Sequence, residues 1–293
     1  MTQILKNHLQ LHLVVFIYGF TAIIGKLISL PAAEMVWYRM FIAFLSIGMY
    51  ISIRGIPVAC SPKIIFKLMG IGVIVALHWI TFFHAIKISN VSVTLGCLAS
   101  TTLFTSILEP IIFRRRVIWL EVVIGVFIIA GLYLIFQFEF RYKMGIITAL
   151  VSAFLAGLFT VLNKSFIDKY HPVSISFYEM VSGFISITFF LLLTGSFNTG
   201  MPVPTLADSL WLLILGVVCT AYAFVMAIKV MKVLSAFTVV LSINLEPVYG
   251  IIMACFIFKD SEFMSGGFYA GTIIILSAVF LYPIISRKRS VKT

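Results

Sequence analysis

Charge is what this chain has least of. Only 11% of its 293 residues are charged, and Asp and Glu together number 10 against 21 Lys and Arg. A soluble domain carries about a quarter charged residues, so an ordinary water-facing surface cannot be built from this sequence. Cysteine is also scarce. The four (Cys60, Cys97, Cys219, Cys255) are scattered and form no CxxC pair, which argues against a disulfide scaffold or a thiolate metal centre and leaves them as small core residues. No GxxxxGK[ST], HExxH or GxSxG motif occurs, so nothing points to self-contained ATP hydrolysis, zinc proteolysis or serine hydrolase chemistry.

Apolar residues fill the space that charge leaves. They make up 62% of the chain, with 28 Phe and a mean hydropathy of +1.16. That composition excludes a disordered chain and describes a polytopic membrane protein. A spanning helix needs about 20 apolar residues. Runs of this kind recur at Leu11–Leu30, Met35–Ile53, Phe66–Ile86, Val91–Phe113, Val117–Phe136, Met144–Phe166, Val173–Thr194, Leu210–Lys229, Leu234–Phe258 and Gly267–Ile285. The expected fold is therefore an all-α membrane protein of ten transmembrane helices. It leaves no room for a separate catalytic or nucleic-acid-binding domain. The first run is long and lacks a small-residue cleavage site, so a retained helix is expected rather than a signal peptide. With the N-terminus on the cytoplasmic side, 15 Lys and Arg fall on inner segments and 4 on outer ones. The positive-inside rule then puts both termini in the cytoplasm of a cell (inner) membrane, and the net charge of +11 reads as topology rather than nucleic-acid binding.

The two halves of the chain echo each other. Phe16-x-x-Gly19 with Lys26 matches Phe154-x-x-Gly157 with Lys164. Tyr38-Arg39-Met40 matches Tyr178-Glu179-Met180, Ala85-Ile86-Lys87 matches Ala227-Ile228-Lys229, and Leu108-Glu109-Pro110 matches Leu245-Glu246-Pro247, in order, at offsets of 137 to 142. The unit is five spans. Because five is odd, the second copy must enter the membrane upside down, giving two inverted repeats, 1–143 and 144–293, as in secondary transporters.

Ionisable residues inside spans are costly and mark function. Glu246 is the first candidate. At helical spacing it shares a face with Thr238, Ser242 and Tyr249, and Pro247 after it removes a backbone donor. It could recognise an amine, exchange a proton, or bond to a neighbouring helix. Glu109 repeats the pattern above Thr101, Thr102 and Thr105, but Arg114, Arg115 and Arg116 stand close enough for a rim salt bridge. Arg39 and Glu179 hold equivalent positions with opposite sign. One suits a carboxylate and the other a cation, unless both snorkel to the interface or close gates. Lys26 is expected to snorkel. His78, beside Trp79, has no Cys, Asp or Glu at ligand spacing, so metal binding is not expected. A proton or substrate role competes with a neutral histidine bonded within the bundle. Trp79, Phe82 and Phe83 could line a pocket. Asn244 faces nearly opposite Glu246 and reads as a tie between helices. Gly267-x-x-x-Gly271 could support a dimer.

Taken together, the early arginine of Trp37-Tyr38-Arg39, the stretch from His78-Trp79 to Ala85-Ile86-Lys87, the Glu-Pro pairs at Glu109 and Glu246, the five-plus-five pattern and the short loops resemble the drug/metabolite transporter superfamily, and within it the EamA-like ten-helix transporters. The resemblance covers the whole chain. It implies a basket of helices around a central cavity, with the fifth span of each half packed outside it, and substrates that are amino acids or other small metabolites, often exported. A dense intramembrane Lys/Arg set is lacking, which disfavours multiply charged phosphates.

The expectation is a secondary active transporter, an exporter of amino acids or related small polar metabolites by alternating access, with proton coupling as an option and no cofactor or metal. Its candidate site residues are Glu246, His78, Glu109, Ser242, Trp79, Arg39 and Glu179. The partners expected are a small-molecule substrate and the lipid bilayer, with no nucleic acid, in a monomer or homodimer. The main alternative is a lipid flippase or flippase subunit; an intramembrane enzyme, a channel and a sensor are further rivals.

Overall fold

The computed structural model describes residues 3–198, 200–234, 236–243 and 245–290, and their regular structure is helical with no strand among them. The helices are α1 (Gln3–Leu27), α2 (Ala32–Arg54), α3 (Pro62–Ile88), α4 (Val91–Leu98), α5 (Thr101–Phe113), α6 (Trp119–Phe138), α7 (Lys143–Lys164), α8 (Pro172–Leu193), α9 (Leu206–Gly216), α10 (Ala223–Val230), α11 (Ala236–Ile243), α12 (Glu246–Phe258) and α13 (Gly266–Ser290). A π-helical segment, Val217–Tyr222, joins α9 to α10. Among the described residues, eight helical runs are long and apolar enough to cross a membrane, and Gly266–Ala278 is a shorter apolar helix. The expected ninth span includes Ser235 and Asn244, which lie outside the described residues, as do the side chain of Thr238 and the suggested Asn244 tie. Helices α11 and α12 occupy that stretch on either side of residue 244.

Local chemistry explains where the helices start and stop. Pro62 and Pro172 sit in the first turns of α3 and α8, where a missing N–H costs nothing. Thr205 and Asp208 form a reciprocal capping box on α9. The Asn90 side chain accepts the Val93 N–H at 2.8 Å to start α4. Gly55, at φ 59°, closes α2 in the left-handed conformation. The expected fourth span is interrupted at Ala99 and Ser100. Hydroxyls take over nearby carbonyls there: Ser100 Oγ donates to Cys97 O and Thr101 Oγ1 to Leu98 O, each at 2.7 Å.

Helices in lipid associate through close packing at small residues. Helices α6 and α13 pack on each other, with Gly131 and Gly271 at the crossing, where a Cβ on either would strike the other's carbonyl oxygen. Gly267 meets the Phe138 ring of α6. The Gly267-x-x-x-Gly271 stripe, read as a dimer surface, is thus used within the chain. Large apolar side chains such as Phe66, Phe256 and Leu193 face outward, at 79, 80 and 72% exposure. Water would not tolerate such a surface; lipid does.

Candidate functional site

A cavity of about 90 Å³ lies inside the bundle, lined from α1, α2, α3, α7, α10, α11, α12 and the α4–α5 interruption. Among the described residues, helices α6 and α13 contribute nothing to it. Interrupted helices are what bring polar backbone to a membrane interior. Leu98, Ala99 and Thr101 from the α4–α5 interruption, and Ile243, Glu246 and Pro247 from the facing ends of α11 and α12, all line the wall.

Arg39 is the cation of this cavity and is 1% exposed. Its guanidinium carbon stands 3.7 Å from the centre of the Trp79 ring and 5.5 Å from that of Phe83, a stacking geometry that a desolvated arginine favours. Its Nε donates to Thr220 Oγ1 at 2.6 Å. Thr220 belongs to the π-helical segment and itself donates to Leu215 O at 2.7 Å; such wide turns recur at functional sites. Among the described residues, the Nη1 of Arg39 is buried without a hydrogen-bond partner. Arg39 does not snorkel to the interface: it is held inside by Trp79 and Thr220.

Glu246 is the first residue of α12 and is 5% exposed to the same cavity. Gly19 and Gly250 let α1 and α12 approach closely: a Cβ at Gly19 would lie 3.3 Å from Glu246 O, and one at Gly250 the same distance from Gly19 O. No ion pair joins Glu246 to Arg39 among the described residues. The cavity therefore holds a cation and a carboxyl that do not close on each other.

His78 also lines the wall and is 8% exposed. Its Nδ1 lies 3.0 Å from Ser152 O and 2.8 Å from Ser152 Oγ, while Ser152 Oγ donates back to His78 O at 3.1 Å. This network assigns the ring proton to Nδ1 and leaves Nε2 as an acceptor. Trp79 lies between Arg39 and Phe224, with its ring 5.7 Å from the latter.

The other expected residues lie elsewhere. Glu109 is 3.4 Å from Arg115 Nη2, which also bonds both Glu121 oxygens at 3.1 and 3.2 Å. This is the rim salt bridge considered for it. Burial pulls the Arg115 pKa down, but Glu121 and Glu109 outweigh it and raise it above the usual arginine value. Ser242 is half-buried on α11 and does not line the cavity. Glu179 is fully buried outside the cavity. Its nearest polar neighbour is the Asn163 side chain, which faces the carboxyl without well-formed hydrogen-bond geometry.

Two features escaped the sequence reading. Gly72 and Gly216 stand at the same repeat offset as the other matched pairs, to within a few residues. A Cβ at Gly216 would lie 3.3 Å from Arg39 O, and one at Gly72 would lie 2.7 Å from Glu179 Cα. Each half thus presses its Arg39 or Glu179 position against a glycine of the other half. The second is a polar closure beside Lys26. Lys26 Nζ pairs with Glu262 Oε1 at 2.6 Å, and the fully buried Glu262 accepts the Val91 and Ser92 amides at 3.1 and 2.8 Å. Nearby, Asp208 accepts Ser29 N and Oγ at 2.8 and 2.7 Å. The scarcity of acidic residues was the available signal: Asp208 and Glu262 are two of only 10.

The sequence profile of the EamA-like transporter family matches residues 6–137 and again residues 143–283. A solved crystal structure, titled only as that of a protein, is similar in fold, with a TM-score of 0.72 at 15% identity over 96% of this chain and 98% of that one. No curated protein matches significantly.

Proposed function

The chain belongs to the EamA-like transporter family, and from that premise we propose that it is a secondary carrier of amino acids or closely related zwitterions. It is a multi-pass membrane protein of transporter fold with a two-repeat architecture. One observation carries the substrate class. Arg39 and Glu246 line one cavity without pairing. A charge left unpaired in a membrane interior is costly, and an α-amino acid would supply both missing partners. Its carboxylate meets the planar fork of Arg39, whose Nη1 has no partner, and its ammonium meets Glu246. Trp79, His78 and Phe159 enclose what lies between.

In this proposal the two five-helix units, 1–143 and 144–293, are inverted copies that exchange conformations. The matched glycine crossings support this: Gly19 of α1 packs on α12, and its counterpart Gly157 of α7 packs on α5 beside Thr105. The structure's polar closure at Lys26, Glu262, Ser29 and Asp208 serves as the outer gate, with both termini in the cytoplasm and net export. Glu246 and Glu179, carboxyl groups within spans, are the candidates for proton coupling.

The experiment is counterflow in proteoliposomes preloaded with an unlabelled amino-acid pool, with labelled amino acids outside, with and without a pH gradient. Saturable accumulation, accelerated by the gradient and lost in Glu246→Gln, is the expected result. Folded protein that exchanges no amino acid but scrambles headgroup-labelled lipid overturns the proposal in favour of a flippase.

A further inference from the structure

A second and much larger cavity, about 910 Å³, opens beside the bundle and shares no lining residue with the central one. It lies between the last turns of α2, the start of α8 and the outer face of the π segment and α10. Its two halves differ in chemistry. At one end are Arg54, His171, Lys229 and Lys232, with no carboxylate among the described lining residues. None of Arg54, Lys229 and Lys232 is ion-paired or hydrogen-bonded through its side chain among the described residues. His171 accepts the Val173 amide at Nδ1, 3.3 Å away, which leaves Nε2 as a donor. Partial burial, then Lys232 and Lys229, lower the His171 pKa, so the two lysines stand close enough to the neutral ring to disfavour a further positive charge there. Toward the membrane interior the wall becomes apolar, with Ile47, Val217 and Val225. Tyr50 and Tyr222 stand at the junction, 48 and 44% exposed, as tyrosines do at a membrane interface.

We propose that this groove is a binding site for one anionic phospholipid, its phosphate among Arg54, His171, Lys229 and Lys232 and its acyl chains along Ile47, Val217 and Val225. Charge complementarity selects the occupant. Uncompensated basic side chains need an anion, and basic pockets between spanning helices take acidic headgroups. The adjoining apolar wall needs a chain, which a free phosphate lacks. The site is independent of the proposed transport reaction.

The test uses the full chain in nonionic detergent, with native mass spectrometry and thermal unfolding as readouts. The probes are phosphatidylglycerol, phosphatidylcholine with the same chains, and glycerol 3-phosphate. Phosphatidylglycerol is expected to bind one copy and raise Tm, where the other two do not. Each basic residue near an anionic headgroup is worth about fivefold in affinity, so Lys229→Gln or Lys232→Gln should weaken binding about fivefold and the double variant about 25-fold. Lys63→Gln with Lys67→Gln, exposed basic residues outside the groove, should change nothing. Equal binding of the two lipids, equal loss from the Lys63 and Lys67 variant, or equal stabilisation by glycerol 3-phosphate would overturn the proposal. The lysines are exposed, and a wild-type Tm in phosphatidylcholine shows that the variants fold.

Discussion

Replacing Arg39 by methionine separates a functional cation from a structural one. In the unliganded protein Arg39 gains a cation–π contact with Trp79 at 3.7 Å and one hydrogen bond to Thr220. A desolvated cation–π pair is worth about 2 kcal/mol, and a hydrogen bond to a charged group about 1.5–3 kcal/mol. Against these stand a desolvation cost of several kcal/mol per buried ion and the unbonded Nη1. Methionine fills similar volume, and Thr220 keeps its bond to Leu215 O, so no new orphan appears. The terms nearly cancel, and Arg39→Met should leave thermal stability unchanged within about 1–2 kcal/mol. Binding should behave differently. A carboxylate that loses a charged donor loses about 1.5–3 kcal/mol, or roughly 10- to 150-fold in affinity. Scintillation-proximity binding of a labelled amino acid, beside a tryptophan-fluorescence melt of the same sample, measures both. A large drop in Tm with unchanged affinity would refute the reasoning and make Arg39 a structural residue. Arg39→Lys keeps the charge but loses the fork and the stack, and should fall between.

Other outcomes follow from particular contacts. Gly72→Ala puts a methyl group against Glu179 and Ser182 and should cost about 1–3 kcal/mol in thermal unfolding. Gly70→Ala meets nothing within 4 Å and should stabilise by up to about 1 kcal/mol; the reverse order would contradict the packing described. Glu262→Ala strands Lys26 and two amides and should open the closure. Spin labels at the exposed Leu27 and Phe263 should then move apart, and an unchanged distance would remove Glu262 from any gating role. Glu179→Gln replaces a buried titratable carboxyl, which faces Asn163, by an amide of the same shape, so it should not lower Tm, and it should flatten the pH dependence of transport. A lower Tm would mean that the charge supports the fold.

Composition alone announced a membrane bundle, because lipid demands long apolar helices and tolerates few charges. The matched Glu-Pro, Tyr-x-Met and Phe-x-x-Gly pairs made the two-repeat organisation visible as well. Which polar residues meet in space was only partly legible. Glu246, Arg39, His78 and Trp79 do share one cavity. Glu109 and Glu179 carry equally conspicuous signals yet lie outside it, one satisfied by Arg115 and the other enclosed at a helix crossing. Helical spacing says which residues share a face, but not which neighbour covers that face. The partners that decided the outcome, Thr220 for Arg39 and Ser152 for His78, lie 181 and 74 residues away in the chain. The π-helical segment carrying Thr220 has no signature in the pattern of apolar residues.

The central claim is that Arg39 and Glu246 take opposite ends of one zwitterion. The most direct measurement is binding of three ligands, an amino acid, its decarboxylated amine and its deaminated acid, to wild type, Arg39→Met and Glu246→Gln. The account predicts a crossed pattern. Arg39→Met should weaken the amino acid and the acid but leave the amine unaffected, and Glu246→Gln should weaken the amino acid and the amine but leave the acid unaffected. Equal losses for all three ligands in both variants would contradict it.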